Sequence, residues 1–216
     1  ALILKNEGFT PDLVMAHMGW GESMFIKQVW PNAKIGIYCE FFYSPSATDV
    51  GFDPEFSDIN PDFDACRVKL KNLNNFMHFE FADFGVSPTA WQASTFPKSF
   101  QKKMHVIHDG IGTEKVRPDS KAIIKIKKKN GRYLGISRND QVITFINRNL
   151  EPYRGYHVFM RALPDLLKKY PNLCVLIIGG NGVSYGAEPE VEKYGKKSWR
   201  DIFAAEVRPK ILESQW

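Results

Sequence analysis

The sequence has little of what would fix a metal, a disulfide framework or a membrane span. Its 216 residues include three cysteines, Cys39, Cys66 and Cys174, far apart and without CxxC spacing. That spacing argues against a zinc site and a disulfide framework, and a reducing cytosolic setting is expected. The longest apolar runs, such as LCVLIIGG at residues 173–180, fall far short of the roughly 20 residues a spanning helix needs. No secretory apolar region stands at the start, and the chain opens at Ala1 instead of Met, as a piece of a longer sequence would. No tandem repeat of 20–50 residues stands out. An RNP-like or helix-turn-helix pattern is also missing, so nucleic acid is not an expected partner.

What is present is ordinary globular composition, 44% hydrophobic and 25% charged, in a chain long enough for one large domain or two small ones. The net charge of +5 is unevenly spread. Residues 49–64 carry six acids, among them Asp49, Asp53 and Glu55, and no base. Between Lys115 and Arg132 there are eight basic residues and one acid, Asp119. The basic stretch alternates Lys with Ile and contains Asn130-Gly131, a hairpin signal. It reads as the solvated face of a two-stranded ribbon, with peripheral contact to an anionic membrane as the minority reading. The acidic stretch lacks the spacing of an EF-hand loop and reads as a lid or recognition loop.

The rest alternates short apolar runs with amphipathic ones. Strands are expected at 11–17, 33–43, in the first part of 83–97, at 102–110, 140–148 and 173–180. Helices are expected at 21–31, 62–82, from Ser87-Pro88 onward, at 155–171 and 198–211. Trp91 and Trp199 read as core anchors of their helices. Alternation of this kind predicts an α/β fold: parallel sheets flanked by helices, in two Rossmann-like units, residues 1–137 and 138–216, joined at the Lys-rich hairpin.

The stretch FINRNLEPYRGYHVFMRAL, residues 145–163, places two arginines where a strand hands over to a helix. In open parallel sheets ligands bind beyond the carboxyl ends of the strands. A helix N-terminus there offers unpaired N–H groups, and Arg148 and Arg154 add two guanidinium forks suited to a diphosphate. Gly155 opens the helix. A second glycine-rich turn, GGNGVSYG, follows the next strand, and Gly180 and Gly182 would let a ligand approach the backbone closely.

RNLEPYRGYHVFMRALPDLLKKYPNLCVLIIGGNGVSYG resembles the start of the donor-binding domain of family 4 glycosyltransferases. PDLVMAHMGWGES, YCEFFYSPSATDVGFDPEF, GVSPTAWQASTFP and VIHDGIGTEKVRP are similar to the second half of the acceptor domain in a subgroup of that family. The resemblance implies the two-Rossmann GT-B fold, incomplete in both units, and a hexosyltransferase that moves a sugar from a nucleotide-diphosphate donor with retention. The acceptor would be a carbohydrate or a lipid-linked one, in polysaccharide or glycolipid synthesis in the cytoplasm. No metal or other cofactor is implied. Arg148 and Arg154 take the places of the cations that grip the donor diphosphate. Asn147 stands for the usual Gly, one extra residue precedes Gly155, and Asp109 and Gly112 stand for the usual Asn and Asp. The family's opening glycine-rich strand would lie before Ala1 and its Glu-x7-Glu motif beyond Trp216, so these 216 residues alone are expected not to complete a catalytic cycle.

On the acceptor side, two residues are candidates for catalysis. His17 ends an apolar strand before MGWGES, where a backbone-bonded histidine is the competing reading. Glu40 follows IGIY within an aromatic run. Burial there would suit it for proton transfer, and the competing reading pairs it with a cation such as Arg67. Two other functions fit the same residues: a noncatalytic nucleotide- or phosphate-binding module, and another GT-B enzyme such as a sugar-nucleotide epimerase.

Overall fold

The computed structural model describes residues 1–45, 48, 50–56, 60–127, 131 and 133–213. The chain divides into two compact units, Ala1–Thr113 and Glu114–Trp216. The division falls ahead of the basic ribbon and not behind it, so the ribbon belongs to the second unit, whereas the sequence reading put the boundary at 137/138.

Among its described residues the first unit holds four parallel strands in the order β1 (Leu13–His17), β2 (Lys34–Tyr38), β3 (Phe84–Ser87) and β4 (Met104–Val106). Neighbours run in simple register, Leu13 beside Lys34 and His17 beside Tyr38. Ile35 and Ile37 are fully buried two residues apart, on the face where a strand of period two sends alternate side chains. That face packs with Trp30, Ala82, Phe96 and Phe100, and with partly buried Phe42 and Phe79. The Phe79 and Phe100 rings stack at 4.0 Å.

The long helix expected at 62–82 is two helices, α3 (Pro61–Lys71) and α4 (Leu73–Phe81), meeting at Asn72. Asn72 is buried and turns its amide to the backbone of Tyr43, accepting from its N–H at 3.1 Å and donating to its carbonyl at 2.8 Å. A polar group that competes for backbone partners in this way breaks a helix readily. A short helix, α1 (Leu2–Asn6), precedes β1, and the helix expected at 21–31 shortens to α2 (Ile26–Val29). Helix α5 (Ala90–Thr95) is capped by Thr89, whose hydroxyl accepts the Gln92 N–H, and not by Ser87, which ends β3. The short α6 (Lys98–Gln101) leads into β4.

His78 is fully buried within α4. Its Nδ1 lies 2.6 Å from the Asn74 carbonyl, which can only accept, so Nδ1 carries the proton and Nε2 accepts from the Ser23 hydroxyl at 2.7 Å. Burial holds its pKa below the ordinary histidine value. In the window between that lowered value and about 6.5 the unfolded chain binds more protons than the folded one. The contribution is therefore complete above about pH 6.5 and is lost as pH falls through the window. The urea midpoint of the first unit is expected to drop between pH 7 and pH 5, and His78→Gln should flatten that slope. A wild-type midpoint constant over that range would contradict the assignment.

In the second unit the ribbon is an antiparallel pair, β5 (Ile123–Lys127) and β6 (Tyr133–Ser137). Asn130, at its expected turn, lies outside the described residues, as do Asp49 and Asp58 of the acidic stretch. Strands β7 (Val142–Asn149) and β8 (Cys174–Gly180) run parallel. Helix α7 (Tyr156–Lys169) buries Tyr156, His157, Met160, Leu163 and Leu167, the spacing of one helical face. It packs on α9 (Trp199–Val207), which buries Trp199, Phe203 and Val207. A one-turn helix, α8 (Val191–Tyr194), lies between β8 and α9. Arg161 on α7 donates to both carboxylate oxygens of Glu206 on α9, at 2.7 and 3.1 Å. Among the described residues no helix is long and apolar enough to cross a membrane.

Candidate functional site

The carboxyl edge of the first sheet brings together residues distant in sequence. His17 is the last residue of β1 and the cap of a single 3-10 turn, Met18–Trp20; its Nδ1 accepts the Gly19 N–H at 3.0 Å. That bond leaves the ring proton on Nε2, which lies 3.1 Å from Glu40 Oε2. His17 is therefore a donor toward Glu40, with no lone pair left for a substrate proton. Glu40 stands two residues beyond β2. Its expected burial is not found, since 56% of the side chain is exposed. The cation suggested for it is engaged elsewhere: Arg67 pairs with Asp64 at 3.0 Å.

Tyr38, at the end of β2, adds a third group. Its ring lies 5.7 Å from that of His17, and its hydroxyl donates to Asp109 Oδ1 at 2.8 Å. Burial, the Asp109 hydrogen bond and the nearby carboxylates push the phenol up to about 12, so it stays a donor. Sequence reading passed over Tyr38. The available signal was positional, because the last residues of adjacent parallel strands must meet at one edge.

A recess of about 110 Å³ opens at this edge, lined by His17, Glu40, Phe41, Tyr43, Lys71 and Asn74, among others. The segment after β2 sorts its aromatics by parity. Phe42 enters the core against Phe76, Phe79 and Phe96, while Phe41 and Tyr43 line the recess. Trp91, expected in the core, is 61% exposed and stacks on Phe41 at 5.8 Å. Trp199, by contrast, is buried as expected.

At the edge of the second unit Arg148 is the penultimate residue of β7 and exposed. A 3-10 turn, Pro152–Arg154, leads to Gly155, whose φ of 72° is the left-handed conformation that glycine adopts freely. No side chain caps α7. Arg154 Nε is buried without a hydrogen-bond partner among the described residues. It lies 3.9 Å from Glu151 Oε1, beyond hydrogen-bonding distance, and its guanidinium sits 5.1 Å over the Tyr185 ring.

Glu151, which sequence reading did not single out, is fully buried. Its two oxygens accept the Ser184 N–H at 2.9 and 3.0 Å, and Oε2 also accepts that of Gly186 at 3.4 Å. The glycine-rich turn thus holds a carboxylate of its own chain. A Cβ on Gly180 would stand 2.5 Å from Asn149 Oδ1 and 3.1 Å from the Arg148 carbonyl. The missing side chain there makes room for β7 itself, where a ligand's approach was expected. Gly182 is less crowded, its nearest contact being Asn149 Oδ1 at 3.7 Å.

The model of the Glycosyl transferase family 4 group matches residues 1–116. The chain belongs to that glycosyltransferase group. No curated protein matches it. Among solved structures it is similar to an S. aureus protein described as an MnaA-UDP co-structure, with 15% identity and a TM-score of 0.41. That alignment covers 82% of this chain and 43% of the other, so the chain spans less than half of that protein's length. The family 4 match takes in the whole first unit, with His17, Tyr38, Glu40 and Asp109, and ends before the two arginines. The family resemblance seen in the sequence is thereby shown for the first unit, while the donor-side residues lie outside the matched range.

Proposed function

We propose that this family 4 chain is part of a GT-B glycosyltransferase that transfers a hexosyl group, with retention, from a nucleotide-diphosphate sugar to a carbohydrate or lipid-linked acceptor. The observation that carries this reading is the polar cluster at the carboxyl edge of the family-matched sheet, with Glu40 and His17 in hydrogen-bonding contact at 3.1 Å. In the transfer, the bond from the anomeric carbon to the diphosphate oxygen breaks and a bond to the acceptor oxygen forms. The acceptor hydroxyl gives up its proton. His17 is spent as a donor, which leaves Glu40 to take that proton, with Oε1 making no hydrogen bond to a described residue. The donor would lie at the second unit, where Arg148, Arg154 and the first turn of α7 would meet the departing diphosphate. An uncapped helix start beside an Nε–H lacking a hydrogen-bond partner among the described residues supports an anion there. Gly155, Gly180 and Gly182 would shape the turns around it, and no metal is required by this scheme.

UDP-, GDP- and ADP-sugars titrated against the protein and its Arg154→Ala variant test the donor side. Loss of one charge-assisted contact is expected to weaken binding by roughly 10- to 100-fold. Equal affinities in the two proteins would remove Arg154 from the site.

A further inference from the structure

We infer that the outward face of α3 and α4 is an interface between two copies of this chain, paired about a two-fold axis near Cys66. The polarity of these helices is turned outside in. Their inward face relies on Val68, Phe79 and Phe81 for apolar contact and otherwise buries Asp64, Asn72, Asn75 and His78. Their outward face is apolar: Phe63 is 64% exposed, Leu70 67%, Leu73 51%, Phe76 45% and Met77 42%. One exposed Leu or Phe is ordinary, but polar groups buried opposite a run of exposed apolar ones are informative. Phe63, Cys66, Leu70, Leu73 and Met77 follow one another at steps of three and four residues, the spacing of a helix–helix seam. The break at Asn72 does not scatter them. Asn72 keeps a right-handed helical conformation, its N–H donates to the Val68 carbonyl at 3.0 Å and its carbonyl accepts the Phe76 N–H at 3.0 Å. The five large side chains expose on the order of 500 Å², a good share of the roughly 800 Å² that each partner gives to a standard interface.

Charge selects the occupant. Residues 49–64 carry six acids and no base, whereas residues 65–71 carry Arg67, Lys69 and Lys71 and no acid. A strip that is acidic at one end and basic at the other is complementary to itself when turned by half a rotation, as a two-fold interface requires. Antiparallel pairing of α3 with α3 sets Phe63 of each copy against Leu70 of the other and Asp62 beside Lys69, with Cys66 close to the axis. Arg67 is already paired with Asp64 at 3.0 Å, and the Lys71 ammonium lies 3.7 Å over the Tyr43 ring. Asp62 and Lys69, both exposed, are therefore the charges that set the register. An anionic membrane is a poorer match for the same strip, because the acidic end repels lipid phosphates.

The pairing is independent of the proposed transfer reaction, and its test needs no sugar or nucleotide. Sedimentation equilibrium of the full chain over a roughly hundredfold range of concentration should show a monomer–dimer equilibrium. Leu70→Glu puts a carboxylate into the apolar contact and should raise the dissociation constant at least about tenfold. Leu70 is 67% exposed within one copy, so this variant is expected to fold, which an unchanged far-UV circular dichroism spectrum checks. Charge reversal tests the register. Asp62→Lys and Lys69→Glu should each weaken the dimer by roughly fivefold, and the double variant should recover the wild-type affinity. A short bis-maleimide should link two copies through their Cys66 thiols, with no product from Cys66→Ser. A chain that stays monomeric throughout, a dimer indifferent to Leu70→Glu or resistant to the cross-linker, or a double variant no better than the single ones overturns the two-fold pairing. So does a monomer that floats with phosphatidylglycerol vesicles, which would assign this face to lipid.

Discussion

Glu151→Ala is expected to destabilise the second unit by about 3–5 kcal/mol, the range for breaking a buried charge network from one side. The carboxylate is fully buried, accepts the N–H groups of Ser184 and Gly186, and is the charge nearest Arg154 Nε. Buried ion pairs are often replaceable by apolar side chains without loss, because both charged partners leave together. That escape is closed here. Two of the donors are backbone N–H groups of the glycine-rich turn, which no substitution removes, and each buried donor left bare costs about 1–3 kcal/mol. Glu151→Gln keeps one acceptor oxygen but turns an NH2 group toward donors, so an intermediate loss is expected. Urea unfolding together with hydrogen exchange over residues 174–211 provides the measurement. The turn should lose protection first, ahead of α7. A Glu151→Ala protein with the wild-type midpoint and turn protection would show that the carboxylate is incidental.

Phe203→Ala carries a loss of similar size by a different route. Phe203 is 2% exposed, and its ring stacks on Trp199 at 5.8 Å, meets Tyr156 edge-on at 6.0 Å and lies under the Arg161 guanidinium at 5.4 Å. Truncation removes the ring that joins α7 to α9 and leaves a cavity, for which about 3–5 kcal/mol is typical. Phe203→Leu fills much of the space and should cost less than about 1.5 kcal/mol. Unfolding followed by the near-UV signal of Trp199 separates the two. A loss below about 1 kcal/mol for the alanine variant would mean that the site collapses around the gap.

Helix α7 was legible in the sequence because five buried residues recur on one face over fourteen positions, and a long amphipathic period is hard to mistake. The strands were legible as apolar runs, although β2 stops at Tyr38, five residues short of the expected end. Nothing in the run YCEFFY marks where pairing ceases, since aromatic residues favour a strand and an extended loop alike. The break at Asn72 was hidden for the opposite reason: the sequence on both sides is helical, and the interruption depends on a bond to Tyr43, 29 residues away. Trp91 misled because its hydrophobicity is a property of the residue, whereas its exposure is a property of what stands around α5.

The same division runs through the site. Residue order alone determined the alternation of strand and helix, the parallel pairing, and the placing of His17 and Arg148 at strand ends and of Arg154 just ahead of a helix, because these follow from local periodicity and chain direction. Tertiary structure alone decided the partners. It joined His17 to Glu40 and not Arg67 to Glu40, set Tyr38 against Asp109, and turned a buried Glu151 into the anion of the glycine-rich turn. Hydrogen bonds are chosen by distances of a few tenths of an ångström between groups remote in the chain, and no one-dimensional pattern encodes those distances.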